Sequence, residues 1–123
     1  MLGVALTFFA VAVLGGVTIA VLRLRGTPRP PRWLAVGHGV VAATGLALLI
    51  YEALTVSLGP LALAALAVLI LAALGGAVIF VGFDLQGKPL PIILVLGHGL
   101  IALSGFALLA IYDYQAHEWG LRP

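Results

Sequence analysis

Apolar residues fall into four runs along the chain, separated by short stretches that carry the prolines and most of the charge. Each run holds about 20 residues, enough at ~1.5 Å per residue to cross a ~30 Å hydrocarbon layer. Spans are expected over residues 2–22, 33–54, 61–82 and 92–112, joined as an all-α four-helix membrane bundle. Little chain remains for an extramembrane domain, so the protein is expected to act in or at the bilayer. The first run opens the chain in the manner of a signal peptide, but no basic region precedes it. Its counterpart 60 residues later is internal, so it is read as a span.

The pattern also falls on itself when shifted by 60 positions. Leu34, Gly37, His38, Gly39, Ala42, Gly45, Ala47, Leu48 and Leu49 then face identical residues from Leu94 to Leu109, and Leu14-Gly15-Gly16 faces Leu74-Gly75-Gly76. The turns Gly26-x-Pro28-x-Pro30 and Gly87-x-Pro89-x-Pro91 repeat at an offset of 61, which places a one-residue length difference in the connection. Tyr51-Glu52 recurs as Tyr112-Asp113. The chain therefore reads as two tandem copies of a helical hairpin, residues 1–60 and 61–123. An even number of spans per copy inserts both in the same sense, related by a pseudo-twofold axis along the membrane normal.

Composition supports the membrane assignment: 63% of residues are hydrophobic, 8% are charged and mean hydropathy is +1.27. There is no cysteine, which excludes disulfides, thiolate metal sites and thiol catalysis. The net charge of +2 comes from too few groups to indicate nucleic acid; their placement is what matters. Arg23, Arg25, Arg29 and Arg32 crowd the first connection and Lys88 lies in the third, whereas Thr55 to Pro60 carries no charge. The positive-inside bias puts the first and third connections in the cytoplasm and both termini on the periplasmic side of a bacterial plasma membrane. Only Arg122 disagrees. Trp33 then marks the cytoplasmic interface, and Tyr51, Tyr112, Tyr114 and Trp119 mark the outer one.

Two Gly-His-Gly stretches, at residues 37–39 and 97–99, carry the candidate chemistry. On helical rise, His38 and His98 lie ~9–10 Å below the cytoplasmic interface, and an imidazole at that depth needs a partner. In an up-and-down bundle the second and fourth helices occupy opposite corners, ~13–14 Å apart when neighbouring axes are ~9–10 Å apart. That diagonal suits one six-coordinate iron held by two inward imidazoles. Gly15, Gly16, Gly75 and Gly76 lie near the same depth, and Gly45 and Gly105 follow each histidine on its own face; all six are read as clearance for a flat macrocycle. Arg29 and Arg32 are placed to meet its propionates.

This pattern resembles small b-type cytochromes and the haem-carrying anchor subunits of respiratory complexes, in which a four-helix bundle holds protohaem by two imidazoles. The resemblance implies that His38 and His98 are axial ligands of haem b and that electrons pass to or from a quinone or partner subunits of a larger membrane complex. Many members carry four histidines for two haems; only two lie within spans here, which implies at most one haem per chain.

Two other classes remain open. Small-residue patterns and interhelical histidine hydrogen bonds also serve cofactor-free packing in an accessory subunit, and paired histidines serve as proton relays in small transporters. Glu52 and Asp113 lie ~21–23 Å from the histidines along the helices and cannot share their metal. Asp84, His117 and Glu118 read as surface residues, and Thr44 and Ser104 as bonding back to their own helices. No nucleophile with a base, phosphate loop or zinc spacing is present, so hydrolytic or nucleotide-dependent catalysis is not indicated. The topology is tested by a reporter fused after Pro123, which is expected to be active outside the cytoplasm; cytoplasmic activity overturns the orientation.

Overall fold

The computed structural model describes residues 1–120, so Arg122 lies outside the described part. It consists of helices α1 (Leu2–Leu24), α2 (Arg32–Thr55), α3 (Pro60–Ile79) and α4 (Ile92–Glu118), with a π-helical turn, Phe80–Asp84, continuing α3. All four spans are long and apolar enough to cross a membrane. Many large apolar side chains point outward: Leu14, Leu54, Leu74, Ile93 and Leu100 are all more than half exposed. That outward face is what a lipid environment stabilises and water does not.

Proline and glycine set the boundaries. Pro60 occupies the first turn of α3, and Pro31 and Pro91 immediately precede α2 and α4, where a missing N–H costs nothing. Beyond α1, Gly26 adopts φ +100°, and beyond the π turn Gly87 adopts φ +68°. Both close the helix in the same way. Gly26 N donates to Arg23 O and Thr27 N to Leu22 O, and Gly87 N donates to Asp84 O and Lys88 N to Phe83 O. These paired bonds satisfy carbonyls that the helix end would otherwise leave open. The fourth helix runs six residues past the expected end at 112. Its last turn and a half is polar, but contains no helix breaker before Gly120, whose φ is +61°.

The π turn locates the one-residue difference between the two halves. Ile19 and Ile79, 60 apart, are equally buried, whereas the closing hydrogen bonds around Gly26 and Gly87 match at 61. The extra residue is therefore taken up between them, where Leu85 N donates to Phe80 O five residues back. Widening one turn keeps the backbone groups there bonded, and the connection that follows is one residue shorter than its counterpart, since Pro31 and Pro91 precede α2 and α4 at an offset of 60.

That turn also corrects the expectation for Asp84, which is 4% exposed. Its carboxylate accepts from Arg32 Nε at 2.9 Å, and its backbone carbonyl accepts from Arg32 Nη2 at 2.8 Å. The first and third connections are latched beside this pair: Leu90 N donates to Pro28 O at 3.0 Å and Arg23 Nε to Leu90 O at 2.7 Å. The latch ties the two hairpins together at this end.

Helix α1 packs on α2 and α4, and α3 on α4 and α2, so α2 and α4 lie across one diagonal. The apolar interior is split into two clusters. One, toward the second connection, contains Leu2, Ala5, Phe9, Leu49, Ala65, Leu69 and Leu109. The other, beneath the latched connections, contains Ile19, Ile79, Leu90 and Val95. Gly45 and Gly105 hold the first cluster close. A Cβ at Gly45 meets Phe8 Cβ at 3.2 Å and Ala5 O at 3.3 Å, and one at Gly105 meets Leu69 Cγ at 2.8 Å.

The Arg32–Asp84 pair is asymmetric, since the arginine side chain is 53% exposed and the aspartate 6%. Arg32→Ala leaves a buried carboxylate without its partner and is expected to cost about 1–3 kcal/mol. Asp84→Ala returns the guanidinium to solvent and is expected to cost less. Unfolding midpoints in detergent check this order, and the reverse order contradicts the assignment.

Candidate functional site

Between the two apolar clusters lies a polar layer made by His38 and His98. Helical geometry puts each imidazole on the face of its helix that meets its own hairpin partner. His38 Nδ1 donates to Ala12 O on α1 at 2.8 Å, and His98 Nδ1 donates to Ala72 O on α3 at 2.9 Å. A carbonyl only accepts, so each Nδ1 carries the proton and each Nε2 is left as the acceptor nitrogen. Among the described residues, no group hydrogen-bonds to either Nε2.

The glycine pairs shape this layer. Gly16 follows Ala12 by four residues, one helical turn, so its missing side chain opens a notch next to the accepting carbonyl. A Cβ at Gly16 stands 3.0 Å from His38 Cε1, and one at Gly76 stands 3.0 Å from His98 Cε1. At Gly15 and Gly75 the nearest histidine atoms are at 3.5 and 3.9 Å, ordinary contact distances. A Cβ at 16 or 76 is tight against the imidazole, which would have to give by a few tenths of an ångström, and the group beside each notch is the imidazole itself.

Across the diagonal the two rings stand with centroids 6.0 Å apart and planes at 89°. With metal–nitrogen bonds of about 2 Å and about 1 Å from nitrogen to ring centre, two imidazoles sharing one metal have centroids about 6 Å apart. The observed centroid separation is close to that value. Gly16 and Gly76 border the imidazoles, and Gly45 and Gly105 border helix contacts in the cluster toward the second connection.

The remaining sequence candidates lie away from the pair. Arg32 is engaged by Asp84, and Arg29 lies against Gly87, its Nη1 3.1 Å from where a Cβ there stands. Glu52 lies at the opposite end, 3.5 Å from the Met1 amine, and Asp113 is 3.9 Å from His117 Nε2. Thr44 and Ser104 donate to Val40 O and Leu100 O on their own helices. Tyr112 is turned inward, where its hydroxyl accepts from Gly59 N at 3.4 Å, while Trp33 and Trp119 are 74% and 76% exposed. Sequence reasoning did not single out Ala12, Ala72 or Asp84. The spacing Ala-x-x-x-Gly, at 12–16 and again at 72–76, is the signal that marks the first two.

The fold and site define a bundle of four helices, each long and apolar enough to cross a membrane, with one imidazole pair among the described residues held between its hairpins. No family model, curated protein or solved structure matches the chain, so this class rests on its own geometry. The notches are tested by Gly16→Ala and Gly76→Ala, each expected to displace its ring and destabilise the protein by about 1–3 kcal/mol. Gly15→Ala and Gly75→Ala are expected to cost less than half as much in the same unfolding measurement. Equal effects at all four positions contradict the notch.

Proposed function

We propose that this chain is an electron-transfer protein of a bacterial plasma membrane that holds one haem b between His38 and His98, as a subunit of a larger redox complex. One observation carries the reading: two imidazoles from diagonal helices, each anchored through Nδ1, stand at the separation that a shared metal requires. His38 and His98 would hold the haem, which when bound would supply a one-electron redox couple suited to electron transfer. The chain's own residues do the rest. Ala12 and Ala72 carbonyls fix the tautomer and make each Nε2 a better ligand. The apolar clusters on either side, around Leu49 and Leu109 and around Ile19 and Ile79, limit water at the layer.

The hairpins belong to this reading as tandem duplicates in parallel orientation. Support comes from sequence identity at an offset of 60 together with like burial of Ala5 and Ala65, Ile19 and Ile79, and Leu49 and Leu109. Basic residues gathered at the latched connections support placing that end in the cytoplasm and both termini in the periplasm.

A second reading draws on the glycine contacts. Imidazoles seated in close-fitting notches also knit helices together without a cofactor, which suits an accessory subunit whose histidines stabilise assembly.

Absorption separates the two. Protein purified from haem-replete cells is expected to show a Soret band and split visible bands on reduction. His38→Ala and His98→Ala are each expected to lower that absorbance at least about tenfold. A colourless protein, in which both substitutions only lower the unfolding midpoint, selects the accessory subunit.

A further inference from the structure

The cations at the latched connections are not equally engaged. Arg23 is held by Leu90 O and Arg32 by Asp84. Lys88 Nζ donates to a neutral partner, Gln86 Oε1, at 2.6 Å. Arg25 and Arg29 make no hydrogen bond or ion pair among the described residues. Because Leu90 N is bound to Pro28 O and Arg29 rests against Gly87, charges from two separate connections are gathered at one place.

Below the first connection, a cleft of about 320 Å³ runs between α1 and α2, lined by Leu14, Gly15 and Thr18 on one side and by Trp33, Gly37 and, at its inner end, His38 on the other. Its upper end is Trp33, four residues beyond Arg29. Apart from the His38 ring its wall is apolar, since the Thr18 hydroxyl is spent on Leu14 O at 2.8 Å. Gly37 faces open space: a Cβ there meets nothing within 4 Å.

We propose that this end of the first hairpin is a binding site for an anionic phospholipid, its phosphate held by Arg25 and Arg29 with Lys88 nearby, and one acyl chain lying in the cleft below. The two features answer the two halves of such a molecule. A topology signal requires only that basic residues be present; it does not require two unpaired guanidinium groups above an apolar cleft. Guanidinium recognises phosphate through paired donors, and the exposed Trp33 indole lies where an aromatic ring meets the headgroup layer. The cleft reaches His38, but Arg25 and Arg29 are not part of the histidine layer, so the arginine arm of the test fails or succeeds separately from the haem reading.

The test uses the full chain in detergent, with lipid retention read by native mass spectrometry. The probes are dioleoyl phosphatidylglycerol, dioleoyl phosphatidylcholine and inorganic phosphate. The phosphatidylglycerol adduct is expected to be retained about 25-fold over phosphatidylcholine, since each of the two arginines contributes about fivefold near a membrane surface. The double variant Arg25→Gln/Arg29→Gln is expected to abolish that preference, and both positions are exposed, so its helicity stays that of the wild type. Gly37→Leu, which fills the cleft from its open side, is expected to lower phosphatidylglycerol retention severalfold with both arginines intact. Equal retention of the two lipids overturns the proposal, as does complete displacement of phosphatidylglycerol by inorganic phosphate, which identifies a free phosphate site. Unchanged retention in a folded Gly37→Leu protein also overturns it. Should that variant not fold, the arginine pair decides alone.

Discussion

The structure depends most on the hydrogen bond from each histidine Nδ1 to a carbonyl on the neighbouring helix of its own hairpin. In a span, such a bond contributes about 0.6–2 kcal/mol, less than the packing around it, but it is directional where packing is not. It fixes the tautomer, aims each ring across the helix interface and requires the helix that offers the carbonyl to lack a side chain one turn later. Ala12 with Gly16, and Ala72 with Gly76, meet that requirement. With both rings so placed, α2 and α4 approach across the diagonal until the centroids are 6.0 Å apart.

A second constraint acts at the latched connections. A carboxylate in the low-dielectric part of a bundle is costly unless a cation and a hydrogen bond accompany it. Asp84 has both from Arg32, and it reaches that position because the π turn adds one residue to the end of the third helix. The same latch leaves Arg25 and Arg29 unpaired above the α1–α2 cleft. One inserted residue thus separates two roles for the basic cluster: some arginines hold the hairpins together, and the others are left for a partner of opposite charge. The histidine layer, between two apolar clusters, is insulated from this traffic of charge.

Much of the fold was legible along the chain. Four runs of sufficient length, bounded by proline and glycine, determined the number of spans and their limits to within a few residues, except where α4 continues through polar sequence to Glu118. Repetition of Gly-His-Gly at 60 positions singled out the imidazoles and their like depth, because rise per residue is the same in every helix. Thr44 and Ser104 were legible for a similar reason: their bonds lie within one helix.

What the sequence could not determine is anything that depends on how one helix is rotated against another. The glycines at 16 and 76 read as space for a planar group; the tertiary structure gives that space to the histidines themselves, since helix rotation decides which side chain enters a notch. Gly45 and Gly105 proved to be points of contact between helices, and Tyr112, assigned with Tyr114 to the outer interface, turns its hydroxyl toward Gly59. Asp84 read as a surface charge because its partner lies 52 positions away, on a different hairpin. Hydropathy and helical period are properties of neighbouring residues and are written in the sequence; the approach of two imidazole rings, or of one carboxylate to one guanidinium, is a property of packing among four helices and exists only once they have assembled.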